Sequence, residues 1–389
     1  MLSYRKLAMR VLGRPLHTGG GIDSPRPASQ RAAALVLTAA LLTGAAFPAF
    51  AGTYYIENGD IVISAGTEAG TNKVEQGGTL KSANDRGTII SSSNKDTASD
   101  NTVTINAANE KDKVEVTLKD LNIDAGSTGS AAVSVTGSGD TTIELDGSNT
   151  LNSGSGHAGL EHNKTDTSGE LTIQDNDKNG SLKAAGGQYG AGIGGAGAAN
   201  DAQVKITGGK ITATGGEYGA GIGGGFKGSG DVTISGGEIH ANGGNYGAGI
   251  GGGDYSSGKV TISGGEINAT GGYLGAGIGG GEKGSGDVTI TGGEITANGG
   301  SYGAGIGGGK GVYLASDKKI HGGDGKVTIT GGKITATSKS FGAGIGGGSN
   351  GSGDVTIEGN TEVNAAGGTG GAGIGSGAGD AKANITPEG

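Results

Sequence analysis

The chain has 389 residues, of which 93 are Gly and only 5 are Pro, with no Cys, no Trp and a formal net charge of −9. Gly near a quarter of the chain is far from globular averages, but collagen is excluded because Gly does not recur at every third position and Pro is scarce. The absence of Cys excludes a disulfide scaffold and thiolate metal sites. Two classes remain, a disordered Gly-rich polymer and a repeat array.

Residues 1–51 have the pattern of a secretory signal peptide. Six basic residues and the single acid Asp23 precede an apolar run from Ala32 to Ala46, and the triplet Ala49-Phe50-Ala51 follows. A basic segment, an apolar segment and a small-residue exit are the three parts of such a signal, and the apolar run is short for a transmembrane helix. We predict cleavage after Ala51, a secreted or bacterial cell-surface location, and no membrane span in the mature chain.

The predicted mature chain, residues 52–389, is acidic and nearly free of Arg and Pro. It carries 22 basic and 36 acidic residues, a net charge of −14, with Arg86 as its one Arg and Pro387 as its one Pro. An acidic surface without Arg clusters is a poor match to a phosphate backbone, so we expect no nucleic-acid partner. The scarcity of Pro suits continuous strand ladders, in which each residue donates its N–H.

A repeat of about 28 residues organises the second half of the chain. The motif Tyr-Gly-Ala-Gly-Ile-Gly-Gly and close variants recur with their Ile at positions 193, 222, 250, 278, 306, 345 and 374. All intervals are 28 or 29 residues except one of 39, which contains an insertion around 312–322. Repeat proteins accommodate such insertions as loops on one face.

Each repeat contains three short segments in which apolar residues alternate with polar residues or Gly. Val232 and Ile234 lie in the first segment, Ile239 and Ala241 in the second, and Ala248-Gly-Ile250 in the third. Period-two alternation predicts strands, and the intervening Gly pairs predict turns. We therefore predict an all-β parallel β-helix, a β-solenoid whose coils stack with a rise of ~4.8 Å and align like residues into columns.

The solenoid prediction extends to both sides of the regular repeats. Residues 52–185 show the pattern less regularly and are expected to form irregular coils, with an N-terminal cap within Tyr54–Ser64. Residues 186–377 are the regular coils, and 378–389 are expected to be a C-terminal tail. Dividing the mature chain by the repeat length gives about 12 coils. An uncovered strand edge at the end of the stack would allow end-to-end self-association.

Three stretches carry a family resemblance: Leu121-Asn-Ile-Asp-Ala125, Thr142-Ile-Glu-Leu-Asp-Gly-Ser-Asn-Thr-Leu151 and the Gly-Ala-Gly-Ile-Gly-Gly units. The chain resembles, over about residues 113–377, the secreted or surface Gly-rich β-helix proteins of gut bacteria that are often labelled carbohydrate-binding-domain proteins. The resemblance implies a right-handed, extracellular β-helix with a glycan-binding or adhesive role, and partners that are glycans or host cell-surface polysaccharides. It implies no catalytic residues and no cofactor.

One column of aromatic residues is the candidate ligand-binding site. It comprises Tyr189, Tyr218, Tyr246, Tyr302 and Phe341. The alternation that buries Ala248 and Ile250 predicts that these rings turn inward or toward a corner, as a stacked ladder that stabilises the coil. The alternative is an exposed platform for sugar rings, because Tyr offers an apolar face and a polar tip.

Two charged columns and a set of outward Thr residues have simpler explanations. One column holds like charges at Glu238, Glu266 and Glu294; a bound cation would relieve their repulsion, but a solvated edge screened by salt is the simpler explanation. Another alternates in sign, at 231, 259, 287, 326 and 354, which indicates mutual neutralisation. Outward Thr-x-Thr pairs on the first and second strands resemble ice-binding faces, but His240 and several Asn interrupt them. We predict no metal site.

The sequence leaves three functional classes open. A non-catalytic glycan-binding, adhesin-like rod is favoured; a polysaccharide lyase or glycoside hydrolase on a β-helix is the first alternative, and a structural or ice-binding rod the second. Glycosidases need two carboxylates at a defined separation in a cleft, whereas the acids here lie in regular columns. The insertion, with Tyr313, Asp317, Lys318, Lys319 and His321, is the one clear break in the repeat and is most simply a solvated loop.

Overall fold

The computed structural model describes residues 51–198, 200–379 and 383–388. The predicted signal peptide lies, apart from Ala51, outside the described residues, and its cleavage remains a prediction. Across the described residues the chain is all-β, with one short 3₁₀ helix at Ile56–Asn58. No helix in this part of the chain has the length and apolar character needed to cross a bilayer.

The chain winds into a parallel β-solenoid of about ten coils, each with three short strands on three faces. We number the faces in the order in which the chain visits them within a regular coil. The all-β parallel solenoid with ~28-residue spacing predicted from the alternation is confirmed, whereas the coil number is lower than the expected 12. The difference arises because residues near the N-terminus form antiparallel strands and the insertion forms a hairpin.

The first face is a ladder of parallel strands that pair from coil to coil. Its strands are Thr53–Tyr55, Thr88–Ser91, Lys113–Lys119, Asp140–Asp146, Leu171–Gln174, Asp201–Ile206, Gly230–Ile234, Gly258–Ile262, Gly286–Ile290, Gly325–Ile329, Gly353–Glu358 and Ala383–Glu388. The last strand lies within the segment expected as a tail, and it pairs in register with Gly353–Glu358.

The second face is a separate parallel sheet with the same register rule. Its strands are Asn122–Asp124, Ser148–Asn152, Ser181–Ala185, Lys210–Thr214, Glu238–Asn242, Glu266–Thr270, Glu294–Asn298, Lys333–Thr337 and Glu362–Ala366. Ile239 pairs with Ile267, and Ala241 with Ala269, so like residues stack on like residues.

The third face is narrow in the regular coils and wider in the irregular ones. Its parallel strands are Ile61–Ala65, Val103–Ala107, Val133–Gly137, Leu160–Lys164, Ile193–Gly194, Ile222–Gly223, Ile250–Gly251, Ile278–Gly279, Ile306–Gly307, Ile345–Gly346 and Ile374–Gly375. Beyond Ile61–Ala65 this face continues into two antiparallel strands, Asn72–Gln76 and Thr79–Asp85, which the sequence did not predict.

The core lies between the three faces and consists of the residues that the alternation placed inside. In one coil Val232, Ile234, Ile239, Ala241 and Ile250 are all fully buried. Each is an inward-facing residue of its strand. Burying a large apolar side chain of this kind against its counterpart in the next coil stabilises the fold by about 1.5–3 kcal/mol. The disordered-polymer alternative is thereby excluded, because the apolar residues remain in register over the whole stack.

The insertion forms a small antiparallel hairpin that leaves the stack undisturbed. Its strands are Val312–Leu314 and Lys319–His321. On either side of it the ladder continues in register, with Gly286 opposite Gly325 and Ile306 opposite Ile345. The hairpin therefore leaves the coil at a turn and returns to the same place.

Candidate functional site

The aromatic column lies on a turn between the second and third faces. In a regular coil, the N–H of Gly247 donates to the carbonyl of Gly244 at 3.0 Å, which closes this turn. The N–H of Tyr246 donates to the carbonyl of Glu217 in the preceding coil at 3.1 Å, and its own carbonyl accepts from Glu282 at 2.8 Å. Backbone hydrogen bonds on both sides therefore fix each member of the column in register.

The same hydrogen bonds define the members of the column from coil to coil. In chain order they are Gly156, Tyr189, Tyr218, Tyr246, Leu274, Tyr302, Phe341 and Gly370. All five residues predicted as ligand-binding are thus brought together on one corner. Glycine flanks the aromatic members at both ends, and Leu274 interrupts them once.

The rings lie at a corner, one of the two orientations predicted from the alternation, and they point outward rather than into the core. Tyr189 is 37% exposed and Phe341 is 40% exposed, and the other three rings are half-buried. The alternation fails here because the turn that ends at Gly247 interrupts the strand, so residues before it do not share the phase of Ala248 and Ile250. In the exceptional coil Leu274 is only 8% exposed, and the neighbouring Tyr273 takes the outward position.

The predicted ring stacking is present. The ring centroids of Tyr189 and Tyr218 are 5.2 Å apart with an interplanar angle of 9°, and those of Tyr218 and Tyr246 are 5.0 Å apart at 13°. Tyr302 and Phe341 form a second stack at 4.9 Å. Both faces of Tyr218 are therefore covered by other rings, whereas Tyr189 and Phe341, the outermost rings of the two stacks, each have one face on which no ring of the described residues is stacked.

A second set of aromatic residues, not singled out from the sequence, widens this surface. The ring of Phe226 meets Tyr189 and Tyr218 edge-on at 5.7 and 5.5 Å, and Tyr255 meets Phe226 at 6.2 Å. Tyr273 meets Tyr302 edge-on at 5.3 Å. These residues follow the Gly triplet or adjoin the column, so comparing the repeats position by position would have found them. We define the aromatic corner as Tyr189, Tyr218, Phe226, Tyr246, Tyr255, Tyr273, Tyr302 and Phe341.

Lysines lie against the rings of the aromatic corner. The Nζ of Lys283 is 3.7 Å from the ring centroid of Tyr255, and those of Lys227 and Lys310 are 5.1 and 5.3 Å from the rings of Phe226 and Tyr302. Cations above aromatic faces are attracted by the ring quadrupole. The corner thus presents ammonium groups and phenol hydroxyls beside apolar rings.

A buried carboxyl group lies behind the aromatic corner. Asp254 is 2% exposed, and its Oδ1 has no hydrogen-bond partner among the described residues. Burial and the nearby Glu282 carboxylate raise the pKa of Asp254 to about 7. Glu282 itself is paired with Lys310 at 3.5 Å. A glycosidase requires carboxyl groups that touch the substrate, and Asp254 is covered in this structure.

The two charged columns have the register that the sequence predicted. Glu238, Glu266 and Glu294 stack directly, and lysines at both ends pair with them, Lys210 with Glu238 at 2.7 Å and Lys333 with Glu294 at 2.9 Å. In the alternating column Lys259 lies 3.3 Å from Asp231.

A groove of about 420 Å³ adjoins the alternating column. Side chains of both charges and serine hydroxyls line it, among them Lys164, Asp201, Ser229, Asp231, Ser257 and Lys259. Lys164 and Lys259 both lie within 3.3 Å of Asp231. The opposite charges in this groove therefore largely satisfy one another.

A carboxylate cluster in the irregular coils could hold a metal ion. Oxygens of Glu144, Asp175 and Asp177 all lie within 4.8 Å of one another. The sequence Asp175-Asn-Asp-Lys-Asn-Gly180 has the spacing with which calcium loops begin, a signal that the sequence analysis missed. In the structure backbone N–H groups already donate to these oxygens, Asn176 to Glu144 at 2.6 Å and Gly180 to Asp175 at 3.1 Å.

The insertion hairpin shows no built site. The imidazole of His321 lies 2.6 Å from Asp317, and both side chains are about 40% exposed. Tyr313 and Ile320 are opposite one another and exposed. The solvated-loop interpretation agrees with this exposure.

Comparison with known proteins supports the architecture. A family model described as a beta helix repeat matches residues 204–226, 232–254, 260–282, 288–310 and 327–349, each of which runs from a first-face strand to the loop after the third face. No curated protein and no solved structure matches the chain. The class defined by fold and repeat is the parallel β-solenoid. Within that class, residues 204–349 are similar to the beta helix repeat that this family model describes; right-handed winding remains a prediction from the family resemblance.

Proposed function

We propose that this protein is a secreted or cell-surface glycan-binding rod with an adhesin-like, non-catalytic role, and that the aromatic corner is its binding surface. The observation that carries the proposal is the arrangement of the corner: two stacks of rings, Tyr189–Tyr218–Tyr246 and Tyr302–Phe341, lie on backbone that is fixed in register. The outermost rings, Tyr189 and Phe341, are exposed. Exposed apolar surface of this kind on a soluble fold marks an interaction site.

The chemistry of the corner suits a polyhydroxylated ligand. The C–H faces of sugar rings would pack on the aromatic faces left open at the stack ends, while Tyr hydroxyls and Lys ammonium groups along the corner would donate hydrogen bonds to sugar oxygens. Because each coil repeats the same turn, the corner offers similar contacts at intervals of ~4.8 Å, the strand spacing. Such a row favours an extended polysaccharide that lies along the solenoid axis.

The proposed location rests on the sequence of residues 1–51, whose basic, apolar and small-residue segments are typical of a signal peptide. A glycan-binding rod requires access to glycans outside the cell, so location and function support one another. End-to-end association of rods through an uncovered strand edge would multiply the binding surface.

A panel of immobilised polysaccharides and a glycan array test this proposal with the full chain. Wild-type protein is expected to bind at least one glycan, and a Tyr189→Ala/Phe341→Ala double variant to lose at least tenfold in affinity, since both rings end a stack. Tyr313→Ala on the insertion hairpin removes an exposed ring outside the corner and is the matched control, with affinity unchanged.

Two outcomes contradict the proposal. Absence of binding to every glycan, with the protein folded, leaves a structural rod. Release of new reducing ends or unsaturated products from the same panel would instead support the lyase or hydrolase alternative.

A further inference from the structure

The first stack of rings begins abruptly, one coil after a glycine at the same position. The N–H of Tyr189 donates to the carbonyl of Ser155 at 2.8 Å, just as Tyr218 donates to Gln188 and Tyr246 to Glu217. This places Gly156 directly in register with Tyr189. The turn is also the same, since the N–H of His157 donates to Gly154 at 3.0 Å as Gly190 donates to Gly187 at 2.9 Å.

The coil of Gly156 thus has the backbone of the aromatic corner without a ring. A Cβ added at Gly156 would meet no atom within 4 Å, so the space on its outward side is open. Tyr218 covers one face of Tyr189, and the other face is directed toward this coil. The result is a gap one coil deep beside an exposed aromatic face, which we call the Gly156 notch.

The opposite end of the column does not have an equivalent gap. Gly370 follows Phe341 in register, but a Cβ there would lie 2.9 Å from the Cβ of Ala378 and 3.7 Å from the ring of Phe341. The notch at Gly156 is therefore specific to the N-terminal end of the column.

A held imidazole adjoins the notch in the chain. Nδ1 of His157 is 2.8 Å from Oε2 of Glu161, and Glu161 is fixed in turn by the N–H of Ala158 at 3.2 Å and the side-chain amide of Asn163 at 2.9 Å. The bond to Glu161 leaves Nε2 of the neutral imidazole as an acceptor. Nε2 has no partner among the described residues, and the side chain is 38% exposed.

We propose that the Gly156 notch is a sugar subsite, in which one pyranose ring stacks on the outer face of Tyr189 and a hydroxyl donates to Nε2 of His157. The inference rests on the proposed glycan-binding function and names its terminal subsite. A pyranose continues the stack as a ring at position 156 would, and one of its hydroxyls would replace solvent as the donor to the exposed Nε2. A ligand with an anionic group is disfavoured, because Glu161 is nearby and the predicted mature chain is acidic.

The test uses single sugars, so that it is independent of polysaccharide binding. Saturation-transfer NMR with the methyl β-pyranosides of glucose, galactose and N-acetylglucosamine is carried out on the full chain. At least one of them is expected to bind in the millimolar range with its C–H face saturated most. Gly156→Tyr fills the notch with a ring and is expected to weaken that binding at least tenfold, whereas Tyr313→Ala, which removes an exposed ring on the insertion hairpin, leaves binding unchanged.

Two further variants distinguish a loss of binding from a loss of folding. Tyr189→Leu keeps an apolar side chain but removes the aromatic face, and it is expected to weaken the sugar at least tenfold. His157→Ala is expected to weaken it three- to tenfold. Melting curves check that each variant is folded, and Gly156→Tyr is expected to melt no lower than wild type because its ring stacks on Tyr189.

The possible failures of the two proposals are distinct. If polysaccharide binds to wild type but no pyranoside does, or if a pyranoside binds equally to wild type and Gly156→Tyr, the notch is not a sugar subsite and the aromatic corner remains the proposed surface. If no polysaccharide binds, the proposed function fails as a whole.

Discussion

In the irregular coils of residues 52–185 side chains close many of the loops, whereas in the regular repeats of residues 186–377 the backbone closes them. Asn149 is an example of the first kind: its side chain accepts from the N–H of Leu121 at 3.0 Å and donates to the carbonyls of Asp146 and Ser181 at 3.1 Å. In the repeats the N–H of Ala248 bonds to Gly252 and that of Gly249 to Ala276, without any side chain.

The difference explains why one region varies and the other repeats. A polar side chain can reach its partner from loops of several lengths and sequences, so the loops of the irregular coils differ from one another. Closure by backbone hydrogen bonds requires the backbones of successive coils to approach closely. This close approach restricts the loop to one length and requires Gly at the contact positions. Stacking the coils by direct backbone contact therefore requires the Gly-rich composition.

The largest expected effect comes from adding one methyl group to a glycine of the repeats. A Cβ at Gly247 would overlap the carbonyl of Gly219 in the preceding coil. Since both partners are backbone, Gly247→Ala must separate two coils, and we expect a loss of about 3–5 kcal/mol in denaturant unfolding. The matched control, Gly156→Ala in the irregular coils, has open space and is expected to change stability by less than about 0.5 kcal/mol. Equal stability of the two variants would refute the close-approach explanation.

A side-chain closure in the irregular coils is expected to matter next most. Asn149 is 1% exposed, and its truncation to Ala leaves the N–H of Leu121 without an acceptor. We expect Asn149→Ala to cost about 2–3 kcal/mol, the penalty for an unsatisfied buried group. Asn268→Ala, on an exposed strand position of the repeats, should fall within about 0.5 kcal/mol of wild type. A negligible effect of Asn149→Ala in urea unfolding would mean that side chains do not close these coils.

The smallest expected effect is a pH dependence from Asp254, the buried acid behind the aromatic corner. The pKa of Asp254 is raised from 3.8 to about 7 by burial and by Glu282. Between about pH 4 and 7 the unfolded chain loses this proton while the folded chain keeps it, so stability should fall as pH rises through this window and level off above it. Asp254→Asn should remove the fall and be more stable than wild type at pH 8 by about 1–3 kcal/mol.

Melting curves from pH 4 to 8 measure this dependence. Asp287→Asn, an exposed acid of the alternating column, is the control and should leave the wild-type pH profile in place. A flat wild-type profile would show that Asp254 is ionised in the folded protein at no cost.

Much of the fold follows from the sequence because every coil of a solenoid repeats the same alternation pattern and the same spacing. The alternation at Val232, Ile234 and Ile239 places the core, and the spacing of the Ile residues sets the register of the ladders. The charged columns follow from the same spacing. Pairing depends only on neighbours one coil away, so no long-range topology needs to be inferred.

The features that the sequence did not predict lie where the alternation stops. The Tyr column turned outward because a hydrogen-bonded turn separates it from Ala248, and a turn carries no period from which orientation can be read. The antiparallel strands Asn72–Gln76 and Thr79–Asp85 belong to a part of the chain that has no repeat to compare. The carboxylate cluster joins Glu144 to Asp175 and Asp177 in the next coil; the spacing of Asp175, Asp177 and Gly180 was a local signal, and only Glu144 is distant in sequence.

The hairpin Val312–His321 has a practical consequence. It adds chain between the third face and the next first face while Gly286 stays opposite Gly325, so length at this corner is decoupled from the pitch of the solenoid. The corresponding corners of the other repeats are then natural grafting positions, at which foreign peptides could be displayed in a row about 4.8 Å per coil. Peptides grafted onto chosen coils would therefore be held at separations that are whole multiples of the rise per coil.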